Sequence, residues 1–248
     1  MYSHNVFYVI LFIGGIFALS FFFVSCDILS SDDDPADVFE DGLSPDLREM
    51  IDDEMLRTIE DSLDVPVHRG ANPPDIESVL SGAHKVLEFE GVTVVMQPFV
   101  LLETNVPDDD EDRLFYNMYV KMGNQDPENY KIDVSMRHAE LSGWTGMVDS
   151  EIIGDGDSFS IFGNFERERD GETIRTIHVF TGIVTEDGIE EPHLAIMMDT
   201  NPGFDDIIPD GTGRSFVDGN GFAEVAEWPE EAAKITEDQP EKFWYLYR

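Results

Sequence analysis

From Val86 onward, apolar and polar residues alternate, and each alternating run stops at a cluster of turn residues. Leu114, Tyr116, Met118, Val120 and Met122 fall on one side of a run, and Ile132, Val134 and Met136 do so in the next. Phe159, Ile161, Gly163 and Phe165 repeat the pattern, followed by Ile177, Val179, Thr181 and Ile183. Pro107-Asp108-Asp109-Asp110, Gly123-Asn124-Gln125-Asp126-Pro127, Gly154-Asp155-Gly156-Asp157, Arg169-Asp170-Gly171 and Glu186-Asp187-Gly188 separate the runs. A period of two marks a half-buried strand, because successive side chains leave opposite faces of the backbone. Asp-Gly and Asn-Gly supply the backbone conformations of hairpin turns. The pattern predicts an all-β body, an antiparallel meander of about eight to ten strands between Val79 and Val225, closing into a lipocalin-like barrel. Phe115, Tyr119, Phe180 and Val184 make the second face apolar too, so a two-sheet sandwich is the alternative.

A helix is expected before this body. Ser44-Pro45-Asp46 offers an N-cap, a proline at the first helical position and an acid at the positive end of the dipole. Leu47, Met50, Ile51, Met55, Ile59 and Leu63 then recur at three- and four-residue spacing, and Pro66 limits any extension. The spacing predicts an amphipathic helix over 44–64 that packs on the β domain.

The first 25 residues carry no Asp, Glu, Lys or Arg, and Val6 to Val24 is apolar-dominated. Such a run is long enough for a bilayer core or for a secretory signal. It ends in Phe23-Val24-Ser25-Cys26, which resembles the lipobox of bacterial lipoproteins. That resemblance implies a signal peptide over 1–25, cleavage before Cys26, and lipid on the Cys26 thiol and on the new amino group. Several acyl chains on one residue anchor stably, since each buried methylene contributes about 0.8 kcal/mol. Phe23 stands where lipoboxes usually carry Leu, and no Lys or Arg precedes the apolar run. An uncleaved anchor helix is the competing reading. Cys26 is the single cysteine, which excludes an internal disulfide and a cysteine-based zinc site. Residues 26–43 are acid-rich and read as an extended, solvated tether.

Charge narrows the partners. The chain has 248 residues, 53 acidic and 15 basic, for a formal net charge of -38. Such a surface repels nucleic acid, whose binding needs Lys and Arg on phosphate. It also repels itself at low salt, and molar salt screens that repulsion. Acid-rich, lysine-poor composition resembles the proteins of salt-loving microbes.

Between helix and body lies Leu63-Asp64-Val65-Pro66-Val67-His68-Arg69-Gly70-Ala71-Asn72-Pro73-Pro74-Asp75-Ile76-Glu77. This resembles a family of lipoproteins of unknown function from Gram-negative bacteria, with a lipobox, a short helix, a PP-[ND]-I-E-type junction and a β-rich body. Ser78-Val79-Leu80 departs from the Gly-aromatic continuation of that motif. The resemblance implies a lipid-anchored protein of the cell envelope, at the outer membrane, and no activity. Asn72, Pro73 and Pro74 are expected to act as a structural hinge handing the helix to a first strand, since Pro-Pro fixes extended backbone.

Motifs for catalysis are missing from the sequence. His4, His68, His84, His138, His178 and His193 form no pair at metal-ligand spacing, and no phosphate loop, nucleophile elbow or cysteine nucleophile occurs. Asp218-Gly219-Asn220-Gly221-Phe222 starts like a calcium loop but has Phe where an oxygen ligand belongs, and reads as a turn. The tail, from Trp228-Pro229 to the aromatic Phe243-Trp244-Tyr245-Leu246-Tyr247, completes the domain over 65–248. The expectation is a non-enzymatic, lipid-anchored binding or structural module of a halophilic bacterium, with no cofactor or metal, attached to membrane through Cys26. A carrier of a small apolar ligand is one alternative. A hydrolase of envelope polymers with paired carboxylates is the other.

Overall fold

Ser44 starts the first helix as its composition demands. Its backbone is extended, and its hydroxyl accepts a hydrogen bond from the Leu47 amide at 3.1 Å. The computed structural model describes residues 39, 41–84, 91–107, 114–115, 117–138 and 144–229. Phe23, Val24, Ser25, Cys26, most of the tether, the Asp108–Asp112 run and the aromatic tail lie outside the described residues.

The helix expected over 44–64 is broken. Helix α1 (Pro45–Met50) stops at Ile51, which turns extended. Asp52 then caps α2 (Asp53–Arg57), its side chain accepting from the amides of Glu54 and Met55 at 3.0 and 2.8 Å. A π-helical turn follows over Thr58–Ser62, and Asp64 ends the segment with a positive φ. Asp52 is a better cap than a mid-helix residue, because its carboxylate competes for backbone amides. Of the apolar stripe, Leu47, Ile51, Ile59 and Leu63 are buried and Met50 and Met55 partly so; Leu56, outside the stripe, is buried as well.

The junction does not lead into a strand. Ala71–Asn72 (β1) pairs in parallel with Gly154–Asp155. A Cβ on Gly70 would sit 2.5 Å from the Gly154 carbonyl oxygen, so only glycine permits this approach. Pro73-Pro74 then delivers the chain to α3 (Ile76–His84), where the first strand was expected near Val79. Asp75 is the reason: its carboxylate accepts from the Ser78 amide at 2.9 Å and the Ser78 hydroxyl at 2.6 Å, a helix start. Gln125 locks the junction, its Nε2 donating to the Pro74 carbonyl and its Oε1 accepting from the Ile76 amide.

The remaining strands are β2 (Val92–Met96), β3 (Phe99–Thr104), β4 (Leu114–Phe115), β5 (Met118–Asp126), β6 (Lys131–His138), β7 (Trp144–Asp155), β8 (Ser158–Arg169), β9 (Glu172–Val184), β10 (Gly188–Thr200), β11 (Gly213–Asp218) and β12 (Phe222–Val225). They form one sheet, antiparallel throughout except at β1. Eight of them, β12-β2-β5-β6-β7-β8-β9-β10, make a ring that closes because β12 also pairs with β10. The others extend ring members. One edge of β10 takes β12 at Gly188–Glu190 and β11 at His193–Met197, so β11 and β12 act as one long strand looped out at Gly219–Gly221. In the same way β2 and β3 are one strand bent at Gln97-Pro98, and both pair with that composite strand.

The expected alternation fails at one place. Met118, Val120 and Met122 point into the main core, but Leu114 is 66% exposed and Phe115 is buried instead. The phase slips between β4 and β5, so Leu114 does not share a side with Met118.

Both faces of the sheet are used. The main core holds Phe159, Ile161, Phe180, Leu194, Ile196 and Phe216 inside the ring. A second core lies outside it, where Leu47, Ile51, Ile59 and Leu63 cover Ile153, Phe162, Ile177, Val179, Ala195 and Met197 of β7 to β10. Both faces of β9 are apolar for this reason: Phe180 and Val184 enter the main core while Ile177 and Val179 meet the second, and no second sheet is needed.

Candidate functional site

The ring interior is the first place to look for a site. It is closed at one end by α3, whose Ile76 and Leu80 enter the core and which touches β2, β5 and β9. At the other end the loop between β10 and β11 sends in Ile207 and Ile208, with Phe204 packed against them. Between these plugs, Met96, Phe99, Leu101, Phe159, Phe180 and Phe216 have no accessible surface. Among the described residues, these side chains border no space that water could enter.

A few polar groups sit inside. Ser150, Thr176, His178 and Arg214 are each at most 2% exposed. The Thr176 hydroxyl lies 3.1 Å from His178 Nε2, and the Phe165 ring packs 5.9 Å from the imidazole. Burial lowers the His178 pKa to about 3, so the ring is neutral. Ser150 Oγ has no hydrogen-bond partner. It leans over Gly163, where an added Cβ would meet it at 2.8 Å. His178 is thus a core histidine, with no open approach for a substrate.

The buried carboxylates among the described residues, Glu151 and Asp218, are both committed to structure. Glu151 on β7 accepts from the Ser44 hydroxyl at 2.8 Å and pairs with Lys131, which also reaches Asp46 at 2.8 Å. That cluster pins the N-cap of α1 to the sheet. Asp218 accepts from the Gln97 amide at 2.5 Å and the Asn220 amide at 2.8 Å, fixing the corner of β2 and β3 and the Gly219–Gly221 turn. Its oxygens face backbone amides, which is turn chemistry rather than cation coordination.

An open cleft of about 360 Å3 lies on the outer face, lined by Glu60, Asp64, Val65, Pro66, Val67 and His193. His193 Nδ1 lies 2.9 Å from the Glu191 carbonyl, and both Glu60 oxygens are held by Arg69 at 2.7 Å. His68 stands close by, its pKa lowered by burial first and by His193 second. No hydroxyl or thiol nucleophile lines this cleft. Among the described residues, no group of three or more His, Cys, Asp or Glu is placed to hold a metal ion.

Comparison with protein-family models, curated proteins and solved structures finds no match. Of the residues singled out in the sequence, Asn72 lies in β1, and Pro73 and Pro74 form the turn into α3. Phe23, Val24, Ser25 and Cys26 are not among the described residues. The Glu151–Lys131–Ser44 cluster was missed, because no spacing relates Ser44 to a strand residue 107 positions away.

Proposed function

We propose that the chain is a lipid-anchored lipoprotein of the bacterial cell envelope, outer membrane, attached through Cys26 and acting as a non-enzymatic binding or structural module. In this reading the eight-stranded ring is a closed up-and-down barrel, lipocalin-like in strand order. The support for closure is that every ring neighbour is antiparallel and the composite first and last strands pair. The observation that carries the module reading is that the described Met and Phe side chains inside the ring have almost no accessible surface, with α3 and Ile207-Ile208 at its two ends. It favours a partner-binding or structural role over a carrier, which needs a cavity of roughly 300 Å3 or more. Glu151 and Asp218 are engaged in structural bonds, and of the two carboxylates in the open cleft, Glu60 has both oxygens held by Arg69, which weighs against a carboxylate-pair hydrolase.

Anchoring is tested by expressing the chain in a Gram-negative host with labelled palmitate. The expected result is label on the wild type, none on Cys26→Ala, and a mature amino terminus at residue 26. Label on Cys26→Ala, or an intact leader on the wild type, would sink the lipoprotein reading. The acidic surface suits a salt-rich medium, so the melting temperature is expected to rise between 0.1 and 2 M KCl as repulsion is screened over a Debye length falling from roughly 10 Å to under 3 Å. A flat melting curve would contradict it.

A further inference from the structure

On the outer face of β5 and β6 two cations stand apart from the carboxylates. Arg48, Arg69, Lys131, Arg169 and Arg175 each pair with a carboxylate. Arg137 and Lys121 have no carboxylate partner among the described residues, in a chain with 53 acids. Their neighbours Met136 and His138, Val120 and Met122 face the main core or are buried beside it, so both cations project outward. Tyr119 pairs with Arg137 and Lys121 with Ser135, which sets the two cations diagonally on adjacent strands, roughly 7–8 Å apart at the backbone.

The chain after β12 passes over this face. Ala226 donates to the Thr93 carbonyl at 2.9 Å, the Trp228 ring lies 5.1 Å from Lys121 Nζ, and the Pro229 carbonyl accepts from Arg137 Nη1. Arg137 is left 7% exposed, and its Nε is buried with no partner among the described residues. A guanidinium has five N–H donors, and one carbonyl answers one of them. A strap alone would be held as well by a neutral side chain. A buried guanidinium is costly unless an anion meets it.

We propose that Arg137 and Lys121, framed by Tyr119 and Trp228, form a binding site for a carboxylate or phosphate group carried on a molecule with a flat face. The guanidinium edge that Pro229 leaves open meets the oxyanion, Lys121 adds a second charge, and the half-buried aromatics take the flat body. The acidic surface around the site excludes polyanions, so the ligand is small. The proposal deepens the binding-module reading and rests on it for that role, but lipidation at Cys26 and anion binding at Arg137 can each fail alone.

The test is calorimetric titration of the full-length chain in detergent, at constant ionic strength, with inorganic phosphate and separately with glucuronate. Saturable binding of at least one probe is expected. Arg137→Gln should weaken it by about tenfold or more, the loss of one charge-assisted pair, and Lys121→Gln by a few-fold. Arg69→Gln, which removes a cation already paired elsewhere, should change nothing. Trp228→Leu should weaken glucuronate and spare phosphate. Because Lys121 is half-buried, its variant keeps the readout alive if Arg137→Gln fails to fold. No saturable binding of either probe overturns the site, as does equal binding by the wild type and Lys121→Gln. Equal losses in Arg69→Gln and Lys121→Gln mean general charge attraction and overturn it too. If Trp228→Leu binds glucuronate normally, the flat-faced ligand is wrong.

Discussion

The two outer faces of the ring are covered in opposite ways. Over β7 to β10 the cover is the segment Leu43–Val65, and both sides of the contact are apolar. Over β2, β5 and β6 it is the short stretch Ala226–Pro229, held by polar contacts to Thr93, Lys121 and Arg137. The first cover removes a wide apolar area from water, at roughly 25 cal/mol per Å2, and is part of the fold. The second is made by polar contacts and leaves Arg137 Nε without a partner among the described residues. Stability and the proposed recognition are thus placed on different sides of one sheet.

That contrast can be broken by substitution. Phe162→Ala, under the apolar cover, should cost about 3–5 kcal/mol of unfolding free energy in denaturant titration at fixed salt. A cost below about 1 kcal/mol would mean the helical segment is a loose appendage. The buried His178 has its pKa lowered to about 3, whereas in the unfolded chain it sits near 6.5. The unfolded state therefore takes up the proton first, and this contribution to stability is intact above pH 6.5 and lost as pH falls toward 3. Relative to His178→Gln, the wild type should lose up to about 1.4 kcal/mol per pH unit in that window. Parallel stability profiles would show that the imidazole is not held neutral by burial.

Smaller effects separate the two covers further. Lys131→Met leaves Glu151 buried with only Ser44 for company, and should cost about 2 kcal/mol, less than a fully buried pair because Lys131 is one-quarter exposed. Lys121→Ala, at the polar cover, should cost under about 1 kcal/mol. If Lys121→Ala cost as much as Phe162→Ala, the second cover would be structural and the contrast would collapse.

Much of this fold was legible in the sequence. Alternation and Asp-Gly turns marked the antiparallel strands; Arg169-Asp170-Gly171 is such a turn, with both Asp170 and Gly171 at positive φ. Ser44-Pro45-Asp46 marked a helix start correctly. Alternation does not say which face is covered, or by what. Ile177 and Val179 looked like one face of a core strand, and they do face a core, but the one beneath the helices. Val79 and Leu80 were apolar enough for a strand, and the Asp75 cap decided for helix. The site on β5 and β6 was invisible, because Lys121 and Arg137 become neighbours only through the register of two strands.

Ring closure has a consequence for how the chain reaches this state. The joint of β12 with β2 and β10 unites residues 94–95 with 224–225, and 188–190 with 222–224. Until that late segment docks, the meander is an open sheet with two sticky edges. Long-range pairings of this kind form slowly, and unpaired edges invite other chains. A heavily like-charged chain is well suited to that interval, since two copies repel before their edges can meet. The acidic composition would then protect the molecule most while it is still unfinished.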